Sequence, residues 1–212
     1  MRVTKFGHSC FLIEESGLTI LFDPGNLSAA QNQVSGIDLV LITHEHQDHL
    51  DLASLKAVLT KNPGAKILTN RGVGAALRKQ GIKYELLEDG RKTTFKNVLI
   101  EGFGKEHAVI YPTLPPVANT GYFIAGRFFY PGDAFYNPGK PVEILALPAT
   151  APWSKLQEVV DYMKKVNPKV CFPVHDGYFK QVPGSIYKIP EAELAKAGGR
   201  LVILDPGKEM NF

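Results

Sequence analysis

Residues Leu39 to Asp51 read LVLITHEHQDHLD. The run Ile37–Thr43 is almost continuously apolar and lacks the polar alternation of a half-exposed strand. A strand of this kind is covered on both faces, so the sheet that holds it needs a packed layer on each side. The run then stops in three histidines and two aspartates, although the whole chain has only 6 histidines. The end of a rigid, buried strand is where side chains can be held at fixed geometry.

Short apolar or alternating runs predict strands over Arg2–Phe6, Cys10–Glu14 and Leu18–Asp23, the last two joined by a glycine-containing turn. Leu52, Leu55, Val58 and Leu59 are spaced for a helix over Asp51–Lys61, ended by Asn62-Pro63-Gly64. Lys66–Thr69 and Lys83–Leu87 read as strands around a Val73–Gln80 helix. Thr93–Gly104 and Thr120–Tyr130 read as hairpins, the second turning at Ala125-Gly126-Arg127. Glu143–Leu147, Lys169–Pro173 and Arg200–Leu204 read as further strands. Between them, Ser154–Val166 has a Ser154/Gln157 capping box and an apolar face of Leu156, Val159, Val160, Met163 and Val166. Pro190–Ala197 reads as a helix stopped by Gly198-Gly199. Strand-rich and mixed segments in this order imply an α/β chain of two facing sheets with helices outside. No linker or repeat divides it, so residues 1–212 are expected to form one domain.

Composition removes several function classes. The net charge is +3, from 24 basic and 21 acidic residues without a block of like charge, which gives no footprint for nucleic acid or an anionic membrane. No stretch approaches the roughly 20 apolar residues of a membrane helix, and the N-terminal MRVTKFGHSC has no signal-peptide core. Cys10 and Cys171 form no spaced metal motif and read as reduced thiols of a cytoplasmic protein. Nothing in the sequence specifies an oligomeric state.

Imidazole and carboxylate are the ordinary ligands of zinc and similar divalent ions. In extended chain His44 and His46 point the same way and can grip one ion, while Asp48 and His49, after a turn, can face a second. The pattern is not the helical H-E-x-x-H motif, because Asp48 stands where its second histidine would be. More ligands are needed, and His107, Asp133 and His175 each lie beyond a predicted strand with Gly or Pro nearby.

This ordered set resembles the metallo-β-lactamase superfamily, in particular the small metal-dependent hydrolases grouped with L-ascorbate-6-phosphate lactonase. Matching words are Gly7-His8-Ser9, Asp23-Pro24, the T-H-x-H-x-D-H run, His107-Ala108-Val109-Ile110, Pro131-Gly132-Asp133, Leu147-Pro148 with Ala151-Pro152-Trp153, and His175-Asp176. The resemblance implies an αββα four-layer sandwich of two mixed sheets flanked by helices. It implies one divalent ion on His44, His46 and His107, another on Asp48, His49 and His175, and Asp133 bridging both. Zinc suits such ligands best, with manganese, iron or nickel as other occupants. A glutamate is usual at His46 in the redox-active diiron branch, and a cysteine at Asp133 in secreted β-lactamases, so neither chemistry is expected. The stretch after His175 is too short for the added domains of glyoxalase II or the superfamily's nucleases.

Two such ions about 3.5–4 Å apart activate a water as nucleophile and polarise a carbonyl or phosphoryl oxygen. The expected activity is hydrolysis of a small ester-like molecule, a phosphorylated lactone among the candidates. A phosphodiesterase of nucleotides or lipids and a non-catalytic metal-binding protein are the alternatives. Asp48 is expected to orient the attacking water; His8 either projects into the pocket or is a hydrogen-bonded structural histidine, and Asn119 either donates to a substrate oxygen or serves as a turn residue. Asp23 can accept the free ring N–H of a ligand histidine, or simply form a turn before Pro24. Asp176 is either near the metals or a surface acid. The proline-rich Tyr111–Val117 loop, Tyr136 and Trp153 are candidate pocket walls. Arg71, Gly72 and Gly74 open a helix that could attract phosphate, though without a complete glycine-rich motif.

Overall fold

The computed structural model describes residues 1–179 and 185–212. Fourteen strands and four α-helices are described: β1 Arg2–Gly7, β2 Cys10–Glu15, β3 Leu18–Phe22, β4 Leu39–Ile42, α1 Leu52–Lys61, β5 Lys66–Thr69, α2 Arg71–Lys79, β6 Glu85–Leu86, β7 Lys92–Phe95, β8 Val98–Phe103, β9 Gly121–Ile124, β10 Phe128–Tyr130, β11 Ile144–Pro148, α3 Leu156–Val166, β12 Val170–Val174, α4 Ser185–Lys196, β13 Arg200–Leu201 and β14 Glu209–Asn211. They form two seven-stranded sheets, ordered β14-β1-β2-β3-β4-β5-β6 and β13-β12-β11-β10-β9-β8-β7.

The apolar strand dictates the layering. Leu39 and Leu41 face the second sheet, packing with residues such as Phe11, Phe22, Phe128 and Phe172. Val40 and Ile42 face the other way, onto Leu55 and Val58 of α1 and Val73 and Leu77 of α2. On the second sheet, Leu145, Leu147 and Cys171 point outward onto Val159, Met163 and Val166 of α3 and Tyr187 and Leu194 of α4. The order of layers is helix, sheet, sheet, helix, as the side-chain period of two requires.

Strand direction then places the site. β1 and β2 are antiparallel, β2 and β3 antiparallel, and β3 and β4 parallel, so β1, β3 and β4 end at one edge. In the second sheet β8, β10, β11 and β12 likewise share a direction. His8, Asp23, His44, His107, Asp133 and His175 each follow the C-terminal end of one of these co-directed strands. Ligands of α/β folds gather at such an edge.

Most expected elements are present, several shifted by a residue or two. The Thr93–Gly104 hairpin turns at Lys96 and Asn97, with φ of 45° and 66°. Three differences have clear causes. The expected Ser154/Gln157 capping box is displaced by one position: the Lys155 N–H donates to Glu158 Oε2 at 2.8 Å, and Ser154 Oγ donates back to the Ala151 carbonyl. The helix expected at Pro190–Ala197 begins by Ser185, and Pro190 lies inside it rather than at its first turn. Burial of Tyr187 and Leu194, two turns apart on one face, outweighs the proline signal there. β14 was not anticipated; its three residues carry no periodicity and are held by edge pairing with Arg2–Thr4.

Phe11 is fully buried and stacks on Phe22 with ring centres 4.6 Å apart. Phe11→Ala should lower unfolding free energy by about 3–5 kcal/mol, read as a shifted midpoint in urea denaturation at unchanged slope.

Candidate metal centre

The six strand ends bring the expected side chains together. Ligand-capable atoms of His44, His46 and His107 lie within 4.8 Å of one another, as do those of His8, Asp48, His49 and His175, and of His44, His49 and Asp133. Asp133 touches both sides of the cluster. Its Oδ1 is 3.2 Å from His49 Nε2, and its Oδ2 is 2.8 Å from His175 Nε2 and 3.3 Å from His107 Nε2. His44, His49, His107, Asp133 and His175 are all buried; His46 and Asp48 are half-buried at the mouth.

The ring nitrogens are sorted by their neighbours. His107 Nδ1–H donates to the Ala108 carbonyl, and His175 Nδ1–H to the Thr150 carbonyl at 2.6 Å. His49 Nδ1–H donates to Asp23 Oδ2 at 2.7 Å. Thr43 Oγ1 donates to Asp23 Oδ2, which leaves it to accept from His44 Nδ1–H at 3.0 Å. Four Nδ1 atoms are therefore proton-bearing, and neutral rings then present Nε2 lone pairs inward. Those four Nε2 atoms and Asp133 Oδ1 are buried without any hydrogen bond of good geometry. A lone pair without a proton to accept, repeated four times around a carboxylate, fits a cation and little else.

Electrostatics agree. Burial alone would raise the Asp133 carboxyl, but His49 and His175 beside it hold it well below the usual range. Burial would lower His49, yet Asp133 and Asp23 keep it well above its ordinary value. His175, opposed by burial, is pushed up to about 9 chiefly by Asp133. His44 goes the other way, well below its ordinary value, through burial and the neighbouring His49. Asp133 thus draws positive charge into the cluster, whether carried by protons or by an ion.

The remaining candidates divide. Asp23 is fully buried and takes the His49 ring N–H, rather than serving only as a turn residue. His8 does reach the cluster. Its Nδ1 accepts the Gly177 N–H at 3.0 Å, so Nε2 bears the proton and donates to Asp48 Oδ2 at 3.1 Å. Asn119 requires a correction. It is 1% exposed, its Nδ2 donates to the Pro131 carbonyl at 2.8 Å, and its Oδ1 accepts the Asp133 N–H at 3.1 Å. With its amide bonded to the Pro131–Asp133 turn and closed off from solvent, it acts as the turn residue that positions Asp133 rather than as an exposed donor. Asp176 forms an ion pair with buried Lys5 at 2.6 Å and accepts from the Tyr187 hydroxyl, tying the His175 turn to β1 and α4.

Trp153 Nε1–H donates to Asp133 Oδ2 at 2.9 Å, so this indole walls the cluster directly. Tyr136 instead packs on Phe103 and Gly104. Arg71 is held by Glu88 at 2.7 Å, and a Cβ on Gly74 would press into the Tyr84 ring, so this helix start is used for packing. Sequence reasoning missed Thr43, Tyr130, Lys5 and Tyr178. Tyr130 donates to Asp23 Oδ2 at 2.8 Å, and Tyr178 to Asp48 Oδ2 at 2.7 Å. Only tertiary contact makes them partners; Thr43, next to His44, carried the one local signal.

Comparison with known proteins follows the same lines. The β-lactamase superfamily domain matches residues 2–175. The chain is 35% identical over 192 residues to Protein Rv0786c of Mycobacterium tuberculosis, covering 88% of this chain and 89% of that one. It is 41% identical over 244 aligned positions to a UPF0173 metal-dependent hydrolase of Aeropyrum pernix, covering 100% and 97% of the two chains. Its fold is similar to that of Igni18, a metallo hydrolase from Ignicoccus hospitalis, with a TM-score of 0.75 at 22% identity, over 100% of this chain and 98% of that one.

The histidine loop also needs close backbone approach. A Cβ on Gly25 would overlap the Asp48 carbonyl. Gly25→Ala should displace the 46–49 turn, destabilise the fold by about 1–3 kcal/mol and reduce bound metal, checked by thermal melting and elemental analysis of the purified protein.

Proposed function

The chain belongs to the metallo-β-lactamase superfamily, and on that premise we propose that it is a metal-dependent hydrolase of a small ester-like substrate, working as one domain with two divalent ions. The observation that carries this reading is the set of four buried imidazole Nε2 atoms and Asp133 Oδ1 left without hydrogen bonds. His44, His46 and His107 would hold one ion, Asp48, His49 and His175 the other, with Asp133 between. Zinc suits the nitrogen-rich set best. The Aeropyrum relative's name as a metal-dependent hydrolase supports the same class.

When bound, the ions supply a nucleophile from water at neutral pH and draw off the charge that builds on the substrate oxygen. The protein's part is orientation. Asp48 Oδ2 lies 3.5 Å from His175 Nε2 and 3.7 Å from His49 Nε2, and His8 and Tyr178 fix it there by two donated hydrogen bonds. A carboxylate held this way can direct an attacking water. Asp23, Thr43 and the Thr150 and Ala108 carbonyls take the Nδ1 protons and so fix the rings with Nε2 facing the cluster. Cysteine chemistry is disfavoured, since burial pushes the Cys171 thiol up to about 12 and the Cys10 thiol higher still.

His44→Ala and Asp133→Ala should each lower bound metal and lactone or ester hydrolysis together, by more than the roughly 10–100-fold that loss of an outer partner costs. Elemental analysis and a substrate panel check this. A variant that keeps both ions and full turnover refutes its ligand assignment, and preference for bis-p-nitrophenyl phosphate over lactones would favour a phosphodiesterase.

A further inference from the structure

Next to the cluster lies a groove of about 570 Å³, walled by Ala151, Pro152, Leu156, Tyr178, Phe179 and Ile186. Two of its residues belong to the metal centre as well. Thr150, also in the lining, holds His175 through its carbonyl and its hydroxyl. Tyr178 lines the groove while its hydroxyl sits on Asp48 and its ring packs 5.0 Å from His8 and 5.7 Å from His175. Trp153 stands between lining residues Pro152 and Ser154, with its N–H on Asp133. The groove therefore opens from the site rather than elsewhere on the surface.

We infer that this groove takes an uncharged alkyl or aryl substituent of the substrate, so that the hydrolysed bond belongs to an apolar ester or lactone. The inference rests on the hydrolase reading and narrows its substrate class. Two observations carry it. Leu156, Tyr178 and Phe179 are 37%, 57% and 41% exposed, an apolar surface that stays in contact with water unless a ligand covers it. On the His107 side, Val109, Ile110, Tyr111 and Leu114 extend the same character, from 42% to 72% exposed.

The test compares γ-butyrolactone, γ-nonalactone and 6-phosphogluconolactone on the metal-loaded protein, with turnover and binding read separately. Trp153 is the sole tryptophan, so its emission reports occupancy of the groove. Each methylene taken fully out of water is worth about fourfold, so a half-covered pentyl tail should raise kcat/KM for γ-nonalactone over γ-butyrolactone about thirtyfold. Trp153 emission should saturate with γ-nonalactone at far lower concentration than with γ-butyrolactone. Leu156→Glu, whose charge is compatible with a helix N-terminus, should collapse the ratio between the two lactones. Equal kcat/KM for both, or a preference for 6-phosphogluconolactone, overturns the inference and leaves the hydrolase reading intact. If none of the three is cleaved, the catalytic reading loses its lactone support. Saturable Trp153 quenching by γ-nonalactone would then still uphold the groove, and its absence would overturn it.

Discussion

Four donors converge on the fully buried carboxylate of Asp23: the Thr43 N–H at 2.8 Å, the Thr43 hydroxyl at 2.8 Å, the His49 ring N–H at 2.7 Å and the Tyr130 hydroxyl at 2.8 Å. These come from the end of β4, the turn after it, and β10 of the opposite sheet. A carboxylate in the interior is tolerated only when such donors replace its water. In return it locks the two sheets at the edge where the cluster forms. It also sets the tautomer of His49 directly and that of His44 through Thr43. The proton pattern of the site follows from one carboxylate placed behind it.

The second buried acid, Asp133, is treated differently. Its backbone is clamped by Asn119, and among the described residues its side chain receives one well-formed hydrogen bond, from Trp153. A group so poorly satisfied would be costly unless positive charge sits beside it. Beside it His49 and His175 are both held above their ordinary values, which shows the pull of that carboxylate on positive charge. A divalent ion would answer that pull more effectively than a proton on either ring. Asp23 and Asp133 thus show one chain using buried carboxylates in two ways, one to build and one to attract.

How much of this was legible beforehand depended on range. The apolar run 37–43 implied a doubly covered strand, and the side-chain alternation of Leu39 to Ile42 between the sandwich core and α1/α2 bears that out. His44, His46, Asp48, His49, His107, Asp133 and His175 could be named because strand ends and a family likeness mark them, and the structure brings them together. Asn119 stayed open between substrate donor and turn residue because a buried amide and a substrate-facing amide look alike in sequence; the Pro131 and Asp133 backbone groups beside it decide for the turn. Tyr130, Tyr178 and Lys5 had no local signal, since their partners lie 107, 130 and 171 residues away. The Ser154/Gln157 cap failed by one residue because the helix starts one residue later, where Glu158 accepts from the Lys155 N–H, while the Ser154 N–H goes to the Ala151 carbonyl.

Backbone conformation shows where the fold gives up stability for geometry. Eight described non-glycine residues have positive φ. Ser16, Lys96, Asn97 and Ala125 sit in hairpin turns and Asn167 caps α3, positions where this conformation is ordinary. The other three are His8, Asp23 and His175, with φ of 50°, 42° and 64°, each directly after a strand of the metal edge. Such residues cost on the order of 1–3 kcal/mol each unless their surroundings compel them. Here the compulsion is visible: the Gly177 N–H on His8, four donors on Asp23, and Thr150 on both the ring and the carbonyl of His175. The left-handed turn lets an extended strand stop and aim its next side chain across the edge. Regular strands would carry these groups past one another, so the strain is the means by which two sheets share one site.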